Sequence, residues 1–222
     1  MRFGGLIFDM GDVLFDASLW RRWLTARLRG SGVDITYDRL VDKWEALLVD
    51  VYKGRSEYWK QFGVLLTSLG LTESQADELA AAARARGRQV RSERRLFDGV
   101  EATLAKLKEA GVKMAVLSDT QSGQDRIREI LRSLRIERYF DAVVTSADTG
   151  CVKPEKAAYE AAAHALGLDL SRCAFVGHDV DELQGARRAG LFAVAYNCDP
   201  KAPADLHVGH FSQLLSVVAG ED

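Results

Sequence analysis

From Phe97 onward, short apolar β-type runs alternate with segments of helical periodicity, and most of the runs end in a polar cluster. Met114-Ala115-Val116-Leu117 precedes a helical pattern through Ile127, Ile130, Leu131 and Leu134. Ala142-Val143-Val144-Thr145 is followed by a helix predicted over 154–166, with Pro154 in its first turn. Ala174-Phe175-Val176 is followed by a helix predicted over 183–189, which Gly190 ends. Residues 192–196 close the series, with a short edge strand expected near 206–208. Alternation of this kind implies a parallel sheet with helices on both faces. The apolar run Leu6-Ile7-Phe8 cannot bury both its faces alone, so it must join the same sheet.

Between that first strand and residue 96 only helical signals occur. Trp20, Trp23, Leu24 and Leu28 recur at helical spacing, as do Leu40, Trp44, Leu47, Leu48 and Val51, and then Tyr58, Phe62, Leu65, Leu66 and Leu69. Thr72 is placed to cap a further helix carrying Ala76, Leu79 and Ala83. This stretch holds all four tryptophans and none of the three prolines. The expectation is an α/β core built from residues 1–15 and 96–222, with a helical domain inserted over residues 16–95.

A net charge of −2 gives no footing for nucleic acid or an anionic membrane. No apolar stretch approaches the ~20 residues of a membrane span, and the amino terminus runs into a strand without room for a signal peptide. Cys151, Cys173 and Cys198 are odd in number and widely spaced, which fits neither a zinc pattern nor a disulfide framework. A cytoplasmic setting is therefore expected.

Four polar clusters follow four strands: Asp9 to Asp12, Ser118-Asp119-Thr120, Lys153-Pro154, and His178 to Glu182. Carboxyl ends of parallel strands share one edge of a sheet, so all four can converge on one crevice. In order and spacing these clusters resemble the haloacid dehalogenase (HAD) superfamily, whose members are mostly phosphatases. Phe8-Asp9-Met10-Gly11-Asp12-Val13-Leu14 is similar to the first motif of that superfamily and Val116-Leu117-Ser118-Asp119 to its second. Val152-Lys153-Pro154 is similar to its third and the stretch from Val176 to Ala186 to its fourth. The helical insertion resembles the cap of the first cap class.

The resemblance implies a Rossmannoid core and a role for each cluster. Asp9 would attack phosphorus and become an aspartyl phosphate. Mg²⁺ would be held by Asp9, the carbonyl of Gly11 and the fourth cluster, with Asp179 reaching the metal and His178 lining or contacting it. Ser118 and Lys153 would hold phosphate oxygens, with Asp119 beside them. The partner implied is a small phosphorylated molecule, closed off from bulk water by the cap.

Two positions depart from the pattern. The usual acid/base, two residues after the nucleophile, is here Gly11, leaving Asp12 or Glu182 as candidate acid/base or substrate-lining groups. The usual metal-binding Asp of the fourth motif aligns with His178. A missing general acid typically costs about 10²–10⁴ in rate. The expectation is therefore a phosphatase favouring good leaving groups such as sugar 1-phosphates or acyl phosphates. The alternatives are a 2-haloacid dehalogenase, in which Asp9 attacks carbon without a metal, and a catalytically weak protein that binds a phosphorylated ligand.

Overall fold

The computed structural model describes residues 2–220. Its sheet contains β1 (Gly5–Phe8), β2 (Lys113–Ser118), β3 (Ala142–Thr145), β4 (Cys173–Gly177), β5 (Phe192–Tyr196) and β6 (Leu206–Val208). Their spatial order is β3-β2-β1-β4-β5-β6, and every neighbouring pair is parallel. β1 is short and wholly apolar because it lies between β2 and β4, with both faces covered: Leu6, Ile7 and Phe8 are fully buried. Phe8 pairs with Val116 on one side and Val176 on the other. The chain winds outward from β1 through β2 and β3, then returns to start β4 on the opposite side. This reversal places a crevice at the carboxyl ends of the central strands.

Contacts divide the chain into two compact units. One is formed by the chain up to Asp16 and from Arg95 on, and the other by Ala17–Arg94. At the junction Phe15 bridges Leu96, and the Phe97 amide donates to Leu14 O at 3.1 Å, so the segment leaves and returns to the core at neighbouring points.

The helical unit consists of α1 (Ser18–Gly30), α2 (Tyr37–Tyr52), α3 (Tyr58–Ser68) and α4 (Glu73–Glu93). Leu24, Leu28, Leu40, Trp44, Leu48, Phe62, Leu65 and Leu66 meet in one buried cluster, as their spacing requires. Trp20 and Trp23 pack partly buried against that cluster, and Trp20 Nε1 donates to Ala83 O at 3.0 Å. Thr72 and Gln75 form a reciprocal capping box at the start of α4.

In the core unit, α5 (Val100–Glu109) leads to β2, and α6 (Gln124–Ser133) and the single turn α7 (Ser146–Thr149) flank β3. α8 (Lys156–Ala165) leads to β4, α9 (Val180–Ala189) to β5, and α10 (Leu214–Ala219) ends the described chain. Two helix starts differ from the sequence expectation. α8 begins at Lys156, so Pro154 lies outside it: the Glu155 amide donates to Val152 O at 2.8 Å and closes a turn first. α9 begins at Val180 rather than Leu183, because Asp179 Oδ1 accepts the Glu182 amide at 3.0 Å and caps the helix early. The polar first turn of α9 carries no apolar periodicity to announce it.

Candidate active site

Asp9 extends β1 by one residue, its amide donating to Val176 O of β4 at 2.9 Å. The residue is almost buried, with its side chain 11% exposed. Oδ1 accepts from Lys153 Nζ at 2.5 Å, while Oδ2 lies 3.7 Å from His178 Nε2, beyond hydrogen-bond length. Lys153 Nζ also donates to Glu182 Oε2 at 3.1 Å. One buried ammonium thus joins a carboxylate from β1 to another from the first turn of α9. Burial opposes the charge on Lys153, but Asp9, Glu182 and Asp119 outweigh it and hold the ammonium well above its usual range. Burial pushes the Glu182 carboxyl well above the usual carboxylate range; Lys153 opposes that shift, and Asp9, Asp119 and Asp179 add to it.

Lys153 reaches this position because its loop is gripped from several sides. Both carboxylate oxygens of Asp119 face the Lys153 amide, at 3.1 and 3.3 Å. Burial pushes Asp119 up to about 6, with Lys153 pulling it down and Asp9 pushing it further up. The next residue, Pro154, packs against Gly185 of α9. A Cβ at position 185 would stand 2.4 Å from Pro154 Cβ and 2.9 Å from its Cα and O, so only glycine admits this approach. Fully buried Tyr159 of α8 donates its hydroxyl to Glu182 O at 2.7 Å, tying α8 to the turn that carries the acid.

Ser118 is the last residue of β2 and stands in register with Thr145. It is buried, and its hydroxyl has no hydrogen-bond partner among the described residues. It does not cap the following helix, which starts behind Gly123. The loop after β2 is pinned to the end of β3. The Thr120 amide donates to Ser146 Oγ at 2.9 Å, and Asp148 Oδ2 accepts both Thr145 Oγ1 at 2.7 Å and the Gln124 amide at 2.8 Å. Ser118 is thereby fixed with an open donor on the crevice edge.

Asp12 turns the chain. Its φ of 55° is in the left-handed region, which Asp tolerates better than most residues. Its amide donates to Phe15 O at 2.8 Å, and its carbonyl accepts from Asn197 Nδ2 at 3.0 Å. Asp12 therefore shapes the turn through its backbone. Asn197, one residue past β5, is a strand-end contributor that the sequence reading missed; Tyr159, Ser146 and Asp148 were also unmarked. Tyr159 and Gly185 lay within stretches already singled out, and their spacing from Lys153 and Glu182 was the available signal.

A divalent cation fits this donor set. Among the described residues no three His, Cys, Asp or Glu side chains converge. Asp9 Oδ2 and His178 Nε2 face each other, and the Gly11 carbonyl two residues after Asp9 has no hydrogen-bond partner among the described residues. Two side chains and a carbonyl suit an ion that completes its shell with water and phosphoryl oxygen. One oxygen of Asp179 is engaged in capping α9.

A sequence profile of the haloacid dehalogenase-like hydrolases matches residues 3–190. The phosphoglycolate phosphatase of Yersinia pestis is 26% identical over 223 aligned residues, covering 96% of this chain and 92% of that protein. Among solved structures, the HAD-hydrolase YfnB from Bacillus subtilis, bound to magnesium, superposes with a TM-score of 0.73 at 17% identity, covering 99% of this chain and all of that one. The 2-haloacid dehalogenase from Pseudomonas syringae pv. Tomato DC3000 superposes with a TM-score of 0.66 at 22% identity, again over 99% and 100% of the two chains. At these identities the two structures speak for the fold alone. No helix among the described residues is long and apolar enough to cross a membrane.

Proposed function

The chain belongs to the haloacid dehalogenase-like hydrolases, and on that premise we propose that it is a Mg²⁺-dependent phosphatase acting on a small phosphomonoester through an aspartyl-phosphate intermediate. The observation that carries this reading is the contact of Lys153 Nζ with Asp9 Oδ1 at 2.5 Å, beside a Ser118 hydroxyl left without an internal partner. A carboxylate, a buried ammonium and an open hydroxyl at one sheet edge match the needs of phosphoryl transfer: a nucleophile, and donors for the equatorial oxygens.

Asp9 attacks phosphorus, the P–O bond to the leaving group breaks, and an acyl phosphate forms on the side chain. Water then attacks the phosphorus and releases inorganic phosphate, which restores the carboxylate. Lys153 and Ser118 hold the equatorial oxygens throughout. A bound cation would add charge neutralisation between Asp9 and the phosphoryl group. Gly11 supplies no proton to the departing oxygen, so substrates whose leaving groups need one least are favoured, acyl phosphates first and sugar 1-phosphates ahead of simple alkyl esters.

The dehalogenase reading fits less well. A 2-haloacid would bring its own carboxylate, with no cation to neutralise it, into a cluster that already holds Asp9, Asp119 and Glu182 around Lys153, whereas a phosphomonoester would arrive with a metal ion to offset its charge. The test measures phosphate release from p-nitrophenyl phosphate and acetyl phosphate, with Mg²⁺ and with EDTA, beside halide release from 2-chloropropionate. Mg²⁺-dependent phosphate release, abolished in Asp9→Asn, is expected. EDTA-resistant halide release would overturn the reading, and so would the absence of turnover on both phosphorylated substrates.

A further inference from the structure

We propose that His178 Nε2 is a direct ligand of the cation held by Asp9, and that this site consequently favours imidazole-accepting divalent ions, such as Mn²⁺ and Co²⁺, far more than an all-oxygen site would. The inference deepens the phosphatase reading and rests on it for the presence of a cation.

Three observations place the ligand. The 3.7 Å between His178 Nε2 and Asp9 Oδ2 is too long for a hydrogen bond. Two donors each ~2.0–2.2 Å from a common divalent cation stand ~3.0–3.5 Å apart, so the pair has to close by only a few tenths of an ångström to share one ion. Asp9 Oδ1 is already taken by Lys153, so Oδ2 is the oxygen facing a second partner, and His178 stands there. The neighbouring carboxylate that would compete for this role, Asp179, points Oδ1 at the Glu182 amide 3.0 Å away as the cap of α9. The turn after β4 thus presents an imidazole to Asp9 and commits one oxygen of the adjacent carboxylate to its own helix.

The chemistry of the donors then sets the preference. Mg²⁺ is held through hard oxygens and gains little from a nitrogen donor, whereas Mn²⁺ and Co²⁺ accept imidazole. A site that includes a nitrogen donor generally binds Co²⁺ more tightly than Mg²⁺, so the informative quantity is how the ratio changes when the imidazole is replaced.

Calorimetric titration of the full chain with Mg²⁺, Mn²⁺ and Co²⁺ would compare the native protein with His178→Asp and His178→Gln. His178→Asp should tighten Mg²⁺ and weaken Co²⁺, lowering the Co²⁺-over-Mg²⁺ affinity ratio by about tenfold or more. His178→Gln should weaken Co²⁺ by a similar factor with little change for Mg²⁺. In the native protein, Co²⁺ should shift the His178 ring resonances by tens of parts per million while leaving those of His207 and His210 in place. A ratio unchanged within twofold in both variants, or His178 resonances unmoved by bound Co²⁺, would overturn the proposal. Neither readout needs turnover. A protein that binds Co²⁺ through His178 but releases no phosphate sinks the phosphatase reading alone.

Discussion

Gly185 and Pro154 touch so closely that a single methyl on the glycine would stand 2.4 Å from the proline Cβ. The two residues belong to α9 and to the loop before α8, and between them they hold Lys153 against Glu182. Gly185→Ala should therefore destabilise the protein by about 1–3 kcal/mol, although alanine is the better helix former. Turnover should fall as well, because Lys153 is displaced from Asp9. Urea denaturation and steady-state kinetics measure both. A more stable variant with native turnover would show that this close approach is unimportant.

Lys153→Met removes the one ammonium shared by Asp9 and Glu182. Losing a buried partner typically costs about 3–5 kcal/mol, lessened here because the raised Glu182 carboxyl takes up a proton readily. Turnover should drop about 10²–10³-fold, the usual effect of removing a donor aimed at developing charge. Phosphate release within tenfold of the native rate would remove Lys153 from the reaction.

Asp119 makes stability depend on pH. Its carboxyl is raised to about 6 by burial, so the folded state prefers it protonated. Its stabilising contribution is complete below about pH 4 and is lost as pH rises through about 6. Asp119→Asn keeps an acceptor for the Lys153 amide without the buried charge. The variant should match the native protein near pH 4 and exceed it by about 1–3 kcal/mol above pH 7. Melting curves from pH 4 to 8 test the sign; a native protein that is the more stable of the two at pH 8 refutes it.

Gly11→Asp restores a carboxyl at the position of the missing acid. Asp12, not Gly11, is the residue in this turn with positive φ, so an L side chain at position 11 meets no conformational penalty of that kind. Turnover on alkyl phosphates should rise at least tenfold, with a smaller gain on acetyl phosphate, whose leaving group needs no proton. Equal gains on both substrates, or none, would count against the leaving-group argument.

Much of the core was legible because its signals are local. Leu6-Ile7-Phe8, Met114 to Leu117 and Ala174 to Val176 are short apolar runs closed by polar residues, and such runs become buried parallel strands with reacting groups at their ends. Leu40, Trp44 and Leu48 on α2, and Phe62, Leu65 and Leu66 on α3, recur at the period that turns one face of each helix inward, which made the helical unit readable as well. The true starts of α8 and α9 were not legible. Val152 and Asp179 set them through single hydrogen bonds of polar groups, which leave no trace in hydrophobic spacing.

Sequence alone determined which residue types stand at which strand ends, and so the kind of chemistry the crevice can hold. Only the tertiary structure decided that Lys153 lies buried between Asp9 and Glu182, that Asp12 turns the chain with its backbone, and that His178 faces Asp9 while Asp179 Oδ1 caps α9. The physical reason is distance along the chain. Asp9 and Lys153 are 144 residues apart, and what joins them is the placing of β1 between β2 and β4, a pairing of whole strands that no local pattern encodes.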